Sequence, residues 1–212
     1  MGNCCARGYQ RVFGERQARR DARRYRRKGL DATARGLVEE LAARGVDGSS
    51  VLEVGGGVGA IELELIRAGA REAIVVELSD AYDSEARALL AENGLEDRVE
   101  RRHGDFVATE AGIEPADVVV MHRVVCCYPD AYALVGAAAR HSRRLLAMSF
   151  PRETWWTKFG SRVANLWLKT VWDFESFVHP PAQIVAAARS QGLRPVHEHA
   201  GRLWQVAVLE RS

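Results

Sequence analysis

The sequence predicts an α/β protein built on a seven-stranded, mostly parallel, doubly wound sheet, with the last strand antiparallel and a helical arm at the N-terminus. From Val51 onward, short apolar runs alternate with segments of helix length, which is typical of parallel strands joined by crossover helices. The run 116–121 is almost entirely apolar, as expected of a central strand covered on both faces. The chain ends in the order helix, strand, strand, so a tight hairpin near Ala200 and Gly201 can turn the last strand antiparallel.

The individual elements follow from hydrophobic spacing and from turn residues. The first is a helix from Gln17 to about Arg44, interrupted near Gly29, in which apolar residues recur on one face. Gly69 ends the helix that follows the first strand. The predicted strands are 51–54, 73–78, 99–102, 116–121, 144–149, 193–197 and 205–209, and the predicted helices between them are 60–68, 83–92, 131–141 and 182–191, with a partly helical, aromatic-rich segment at 154–177.

Composition limits the class of protein. Of the 212 residues, 47% are apolar and 27% are charged, which is typical of a globular domain that needs no disulfide or metal for its core. No run approaches the roughly 18 apolar residues of a membrane span, and arginines occupy the region where a secretory signal would be apolar. We therefore expect a cytoplasmic protein without a membrane span.

The four cysteines form two adjacent pairs, Cys4-Cys5 and Cys126-Cys127. Adjacent cysteines rarely bridge each other, and the spacing matches none of the usual zinc patterns. We therefore expect no metal, and we interpret the thiols as small buried side chains. A meeting of the two pairs at the active site is a weaker alternative.

The N-terminal region is strongly basic. Residues 1–30 contain nine arginines and one lysine against Glu15 and Asp21, a net charge of +8, so the rest of the chain carries −6. We divide the chain into a basic helical arm or lid at 1–35 and a main domain at 36–212. Tyr9, Phe13 and Tyr25 could add apolar contacts to such a lid. A nucleic-acid-binding module is the alternative, but the arm has few interleaved aromatics and no recognition motif, so nucleic acid is not the expected partner.

The segment 53–59 is the most informative motif. Gly55, Gly57 and Gly59 follow the first strand and open a helix, which allows the backbone to turn sharply and approach a ligand. Glu53 precedes the loop, and Glu77 ends the next strand 18 residues after Gly59. A carboxylate at that place can accept hydrogen bonds from both ribose hydroxyls.

These motifs resemble those of the class I S-adenosylmethionine-dependent methyltransferases. The segment 53–59 is similar to their first motif, Glu77 to their ribose-binding acid, and 104–106 to the turn that holds the adenine. The resemblance implies S-adenosylmethionine as cofactor, with Glu53 near the methionine ammonium, Asp105 accepting from the adenine amino group and Phe106 beside the ring. The implied cofactor-binding residues are Glu53, Gly55, Gly57, Gly59, Glu77, Leu78, Asp105, Phe106 and His122.

The acceptor side is predicted from the segment 121–130, which follows the fourth strand and should face the methyl group. It departs from the Asn/Asp-Pro-Pro-aromatic sequence of enzymes that methylate amide or amino nitrogens. His122 is the candidate general base, because imidazole titrates near neutrality; a structural or cofactor-contacting role is the alternative. Tyr128, Trp155 and Trp156 are the candidate substrate contacts, although the 154–177 segment is equally well interpreted as a helix packed on the core.

The predicted reaction is an O-methyl transfer to a small apolar or aromatic acceptor. The order of residues 124–129 and 179–181 is similar to that of magnesium-protoporphyrin O-methyltransferases, which gives one alternative. A second is an NAD-binding oxidoreductase, because Gly55, Gly57 and Ala60 satisfy the relaxed dinucleotide pattern. The oligomeric state is not indicated.

Overall fold

The seven-stranded sheet is the centre of the fold. The computed structural model describes residues 4–212, with side chains from Gly8 onward. The strand order is β3-β2-β1-β4-β5-β7-β6; β1 to β5 are parallel, and β7 is antiparallel to both of its neighbours. The strands are β1 (Ser50–Val54), β2 (Glu72–Glu77), β3 (Val99–His103), β4 (Ala116–His122), β5 (Ser142–Pro151), β6 (Leu193–Ala200) and β7 (Trp204–Arg211). The predicted sheet, with its antiparallel last strand, is confirmed.

Nine α-helices surround the sheet in the described part of the chain. They are α1 (Cys4–Val12), α2 (Glu15–Lys28), α3 (Ala32–Ala43), α4 (Ala60–Arg67), α5 (Asp83–Asn93), α6 (Phe106–Thr109), α7 (Ala131–His141), α8 (Trp155–Trp172) and α9 (Pro181–Arg189). The helix predicted from Gln17 is interrupted at Gly29, as expected, and α3 restarts where Asp31 caps its first turn. The boundary proposed after residue 35 falls inside α3, so the break in the chain itself lies at Gly29.

Two layers of helices bury the two faces of the sheet. On one face Leu134 of α7 and Ile184 of α9 pack with Val119. On the opposite face, Leu37 of α3 and Leu65 of α4 pack against the buried side chains of the strands. Because β4 alternates between the two clusters, its apolar residues are all buried, as the sequence predicts. This doubly wound arrangement leaves the carboxyl ends of the parallel strands as the natural ligand-binding edge.

The basic arm packs closely on the main domain. Ala18 and Ala22, one turn apart on α2, are fully buried in a cluster with Val58, Leu63 and Tyr82. Small side chains at this spacing let an otherwise polar helix lie directly on its neighbours. The arm is therefore part of the folded unit.

Candidate functional site

The glycine loop between β1 and α4 forms the floor of the site. Gly55 has φ +72° and Gly57 has φ +56°, a left-handed conformation that favours glycine. A Cβ on Gly55 would lie 2.5 Å from the Val124 side chain, so this position also lacks space for any larger residue. The backbone of the loop is therefore open to close approach by a ligand.

Glu77, at the end of β2, is held beside this loop. One carboxylate oxygen accepts from the Gly57 amide at 2.9 Å and the other from the Ser79 amide at 2.8 Å. The side chain is buried, yet each oxygen retains lone pairs that these bonds do not use. The arrangement presents an oriented acceptor for hydroxyl groups, as the sequence predicts for a ribose contact.

Two cavities meet at the loop. The larger, of about 230 Å³, lies among the glycine loop, Glu77, His122 and the arm, and the smaller, of about 40 Å³, lies beside the turn after β3. The two cavities share the lining residues Tyr9, Gly55, Val124 and Cys127. They therefore form two compartments of one cleft, with the loop and the Val124 side chain between them.

The small cavity contains the residues predicted to hold adenine. Leu78, Asp105 and Phe106 all line it. The Asp105 carboxylate accepts from the Val107 amide at 3.0 Å and from the Tyr128 hydroxyl at 3.0 and 3.1 Å. Tyr128, predicted as a substrate contact, thus lies on this side of the cleft. An adenine amino group would share Asp105 with it.

Glu53 supports the loop from beneath. It is buried, and its carboxylate accepts from the Glu62 amide at 2.9 Å, which caps the first turn of α4. Burial raises the pKa of Glu53 well above its ordinary value, and the neighbouring Glu62 charge raises it further. Arg101 lies 3.2 Å from Glu62 and donates to the Gly57 carbonyl at 2.8 Å. These four residues fix the loop as a unit.

Sequence reasoning missed Glu62 and Arg101. Neither residue stands out in the sequence, because α4 also contains Glu64 and Arg67 and the strand β3 also contains Glu100 and Arg102. Gly59, predicted to bind cofactor, lines neither cavity and instead opens α4 with φ +83°. A Cβ there would collide with the Glu62 carboxylate.

His122 lies at the end of β4 and lines the large cavity. Its Nδ1 is 2.8 Å from the Ser149 hydroxyl on the neighbouring strand β5, and its Nε2 is 3.7 Å from the Asp31 carboxylate. Asp31 belongs to the arm side of the cleft, where it accepts from the Thr33 and Ala34 amides at the start of α3. Neither Ser149 nor Asp31 was predicted, because they are far from His122 in the sequence.

The charge of Asp31 is strongly stabilised. Burial raises the pKa of this carboxyl, but the neighbouring His122, the Ala34 amide and the positive charge of Arg123 outweigh burial and leave the pKa well below its usual value. Arg123 lies 3.0 Å from Asp31. Asp31 is therefore an anion throughout the neutral range, between a histidine and an arginine.

Arg123 has an unusual conformation. It has φ +61°, and its amide donates to both the carbonyl and the hydroxyl of Ser149 at 3.1 Å. The guanidinium lies 4.6 Å from the centre of the Trp204 ring. Strained backbone held by several contacts is common at ligand sites. Here it directs a cation toward the large cavity that it lines.

The arm covers the large cavity. Tyr9 and Phe13, with ring centres 4.4 Å apart, line it, and so does Tyr25. The Ser79 hydroxyl donates to the Phe13 carbonyl at 2.6 Å. Further along α2, the Tyr25 hydroxyl donates to Glu64 at 2.6 Å. Tyr9, Phe13 and Tyr25, which were expected to contribute apolar contacts to a lid, thus line this cavity, and the lid itself stays a prediction.

The two tryptophans predicted as substrate contacts lie apart from the cleft. Trp155 is 80% exposed at the start of α8, and neither it nor Trp156 lines either cavity. The sulfurs of Cys126 and Cys127 are 3.6 Å apart as free thiols. The side chains of Cys4 and Cys5 lie outside the described residues.

Within the side chains that the structure describes, no group of three or more His, Cys, Asp or Glu residues could hold a metal ion. Between residues 4 and 212, every helix is too short or too polar to cross a bilayer.

Comparison with known proteins bears on the activity. Residues 51–146 match the family model described as "Methyltransferase domain". The chain therefore contains a methyltransferase domain. The match covers the glycine loop, Glu77 and the adenine turn, so the predicted methyltransferase and its cofactor are confirmed, and the oxidoreductase alternative loses its support.

Solved structures of methyltransferases share the fold. A magnesium protoporphyrin IX methyltransferase from Synechocystis PCC 6803 with bound SAH matches with a TM-score of 0.71 and 20% identity, over 85% of this chain and 82% of that one. An O-methyltransferase family protein from Burkholderia thailandensis matches with a TM-score of 0.68 and 20% identity, over 85% and 56%. Mitomycin 7-O-methyltransferase matches with a TM-score of 0.61 and 21% identity, over 85% and 55%.

Proposed function

We propose that this methyltransferase transfers a methyl group to an oxygen atom of a small, apolar or aromatic acceptor, with His122 as the general base. The observation that carries the proposal is the position of His122. It lines the larger cavity at the end of β4, between Ser149 and Asp31, while the adenine-side residues line the smaller one.

The residues of the cleft fit S-adenosylmethionine. Leu78, Phe106 and Asp105 offer two apolar walls and a carboxylate for an adenine, and Glu77 offers acceptors for ribose hydroxyls. Loop positions 55 and 57 have no side chain to obstruct the methionine part. When bound, the cofactor supplies an electrophilic methyl group on a sulfonium.

His122 and its neighbours would then act on the acceptor. Methyl transfer is an in-line displacement, so correct placement of the acceptor oxygen accounts for much of the rate. A hydroxyl acceptor must also lose its proton, and the His122 imidazole at the wall of the large cavity would accept it. The Asp31 carboxylate would stabilise the positive charge that the imidazole acquires. Arg123 would orient an acceptor that carries a negative or strongly polar group.

The lining of the large cavity supports an apolar or aromatic acceptor. Tyr9 and Phe13 lie on the arm side, with Val124 and Ile61 on the domain side. A flat ring could pack between these surfaces at low entropic cost. We propose that Tyr9 and Phe13 are the acceptor contacts of the arm and that residues 1–35 act as a lid over the domain 36–212.

A labelled-methyl assay tests this proposal. Purified enzyme is incubated with methyl-labelled S-adenosylmethionine and a panel of phenols, carboxylic acids, amines and magnesium-protoporphyrin. The expected product is an alkali-stable O-methyl ether, identified by mass spectrometry and by the chemical shift of its methyl group. An alkali-labile ester from magnesium-protoporphyrin supports the tetrapyrrole alternative instead. A label found only on nitrogen contradicts O-methylation, whereas retained binding of adenosylhomocysteine shows that the enzyme is folded.

A further inference from the structure

Helix α8 carries its apolar side chains on the outside of the protein. Trp155 and Leu166 are 80% and 73% exposed, and no residue of α8 is fully buried. The exposed large apolar residues recur every three to four positions, which places them on one side of the helix. They are Trp155, Phe159, Val163, Leu166, Trp167 and Val171, and we call this side the outer face of α8.

Hydrogen bonds tie the opposite side of α8 to the chain segments that flank the helix. Asn165 donates to the Ser176 carbonyl at 2.8 Å and accepts from the Ser176 amide at 2.9 Å. The Ser161 hydroxyl donates to the same carbonyl at 3.2 Å, and the Thr157 hydroxyl donates to the Arg152 carbonyl at 2.6 Å. A surface helix normally turns its apolar side inward. Here these polar residues and the apolar Trp156, Leu168 and Trp172 are the half-buried residues of the helix, while the larger set of apolar residues stays exposed and is available to an apolar surface.

The charged residues within α8 are all basic. They are Lys158, Arg162 and Lys169. Lys158 and Lys169 pair with Glu153 and Glu175, which flank the helix, whereas Arg162 makes no ion pair with any residue of the described chain. Arg162 is therefore the cation of α8 that is left to attract an anionic surface, as basic residues do in helices that lie in the head-group region of a membrane.

The basic helix α2 begins close to the end of α8. Gly8 of α1 contacts the Asp173 carbonyl so tightly that a Cβ would collide with it, and Phe13 lies 5.8 Å from Phe174. Because α2 starts two residues after Phe13, its basic side chains extend from this corner. Among the described residues, these side chains make no ion pair with a carboxylate: Arg16, Arg20, Arg23, Arg24, Arg27 and Lys28.

We propose that this protein docks on the surface of an anionic lipid bilayer, with the outer face of α8 in the head-group region and α2 above the anionic head groups. Apolar insertion and attraction of basic residues act together in such binding. A symmetric dimer through α8 fits the charges less well, because a two-fold axis places the same patch on both copies and so brings like charges together. A nucleic acid would leave the aliphatic side chains of the outer face exposed.

Vesicle binding tests the proposal directly. The full chain is sedimented with vesicles of phosphatidylcholine alone and with vesicles that also contain about one third phosphatidylglycerol, a fraction that gives a strongly negative surface. We expect binding to the anionic vesicles that is at least about tenfold stronger than to neutral ones and that weakens with salt. The variant L166E/W167E should lose at least about tenfold in binding, because it places charge in the apolar region.

The single variant Leu166→Glu should also weaken binding, and its matched control is Tyr132→Glu, which places the same charge at an exposed aromatic residue of α7 and should bind as the unaltered chain does. Four of the five tryptophans lie in α8, so lipids brominated in the acyl chain should quench much of the intrinsic fluorescence. Adenosylhomocysteine should raise the melting temperature of every variant equally, which shows that each is folded. The proposal is overturned if the anionic vesicles do not bind the unaltered chain, or if L166E/W167E binds them equally well. It is also overturned if ultracentrifugation finds a dimer that the double variant abolishes while vesicles bind neither protein.

Discussion

Asp31, the first-turn cap of α3, lies 3.7 Å from Nε2 of His122 at the end of β4. The relationship joins the arm side of the cleft to the residue best placed to receive a proton. Replacing Asp31 by Asn removes the charge but keeps a good helix cap. We expect a loss of about tenfold in kcat, smaller than the roughly 10² to 10⁴-fold loss expected when a general base itself is removed, with little change in KM. Asp31→Ala, which also removes the cap, should in addition lower the free energy of unfolding by about 1 kcal/mol. Equal kcat for Asp31→Asn and the unaltered enzyme would contradict the assigned role.

The stability contribution of Asp31 should depend on pH. Its pKa is lower in the folded protein than in the unfolded chain, so the charged form favours folding. The contribution is complete above the unfolded pKa of about 4 and is lost as the pH falls through the lower folded value. Urea unfolding of the Asp31→Asn variant should therefore show a deficit at pH 7 that shrinks below about pH 4. A deficit that stays constant across this range would reject the linkage.

His122→Ala should lower turnover by about 10² to 10⁴-fold, the usual contribution of a general base. Affinity for adenosylhomocysteine, measured by calorimetry, should remain close to that of the unaltered enzyme. His199→Ala is the matched control, because His199 is an exposed residue of β6 and should tolerate the change. If His122→Ala retains full turnover with every acceptor of the panel, another group removes the proton.

Glu77→Gln should weaken binding of adenosylhomocysteine by about 10 to 100-fold, since hydrogen bonds to a charged group contribute about 1.5 to 3 kcal/mol. The loss should appear in binding itself and in the ligand-induced rise of the melting temperature. Glu72→Gln, at the exposed start of the same strand, is the control. If both variants bind equally well, Glu77 does not contact the ribose.

Gly55→Ala and Gly94→Ala form a second matched pair. Both glycines have positive φ, but a Cβ on Gly94 meets nothing within 4 Å, whereas one on Gly55 would lie 2.5 Å from Val124. Each substitution should lower the free energy of unfolding by about 1 to 2 kcal/mol, because alanine is strained at positive φ. Only Gly55→Ala should also lose adenosylhomocysteine affinity, because the clash lies within the cleft. Loss of affinity in both would indicate an effect of strain alone.

Patterns within single elements predicted the scaffold well. Alternation and apolar runs predicted every strand, and the glycine loop with Glu77 and Asp105 predicted one side of the cleft. Strand β6 extends beyond its predicted end, because Glu198 and His199 pair with β7 through the backbone and give no hydrophobic signal.

The missed residues act through tertiary contacts. Asp31 shows in the sequence only as a helix cap, and Ser149 only as a polar residue in an apolar strand. Their meeting with His122 depends on the position of α3 over the cleft and on β5 lying beside β4. Tyr128 was placed with the acceptor because of its position after β4, but the chain turns it toward Asp105.

The roof that Tyr9 and Phe13 form over the cleft has a kinetic consequence. If bound adenosylhomocysteine lies beneath these rings, its release requires the first helix to move away. Among the described side chains, hydrogen bonds between this region and the domain include those from Gln10 to the Leu78 carbonyl and from the Ser79 hydroxyl to the Phe13 carbonyl. If this opening of the helix is slower than methyl transfer, the first turnover should be faster than the steady-state turnover. Added viscogen should then lower the steady-state rate.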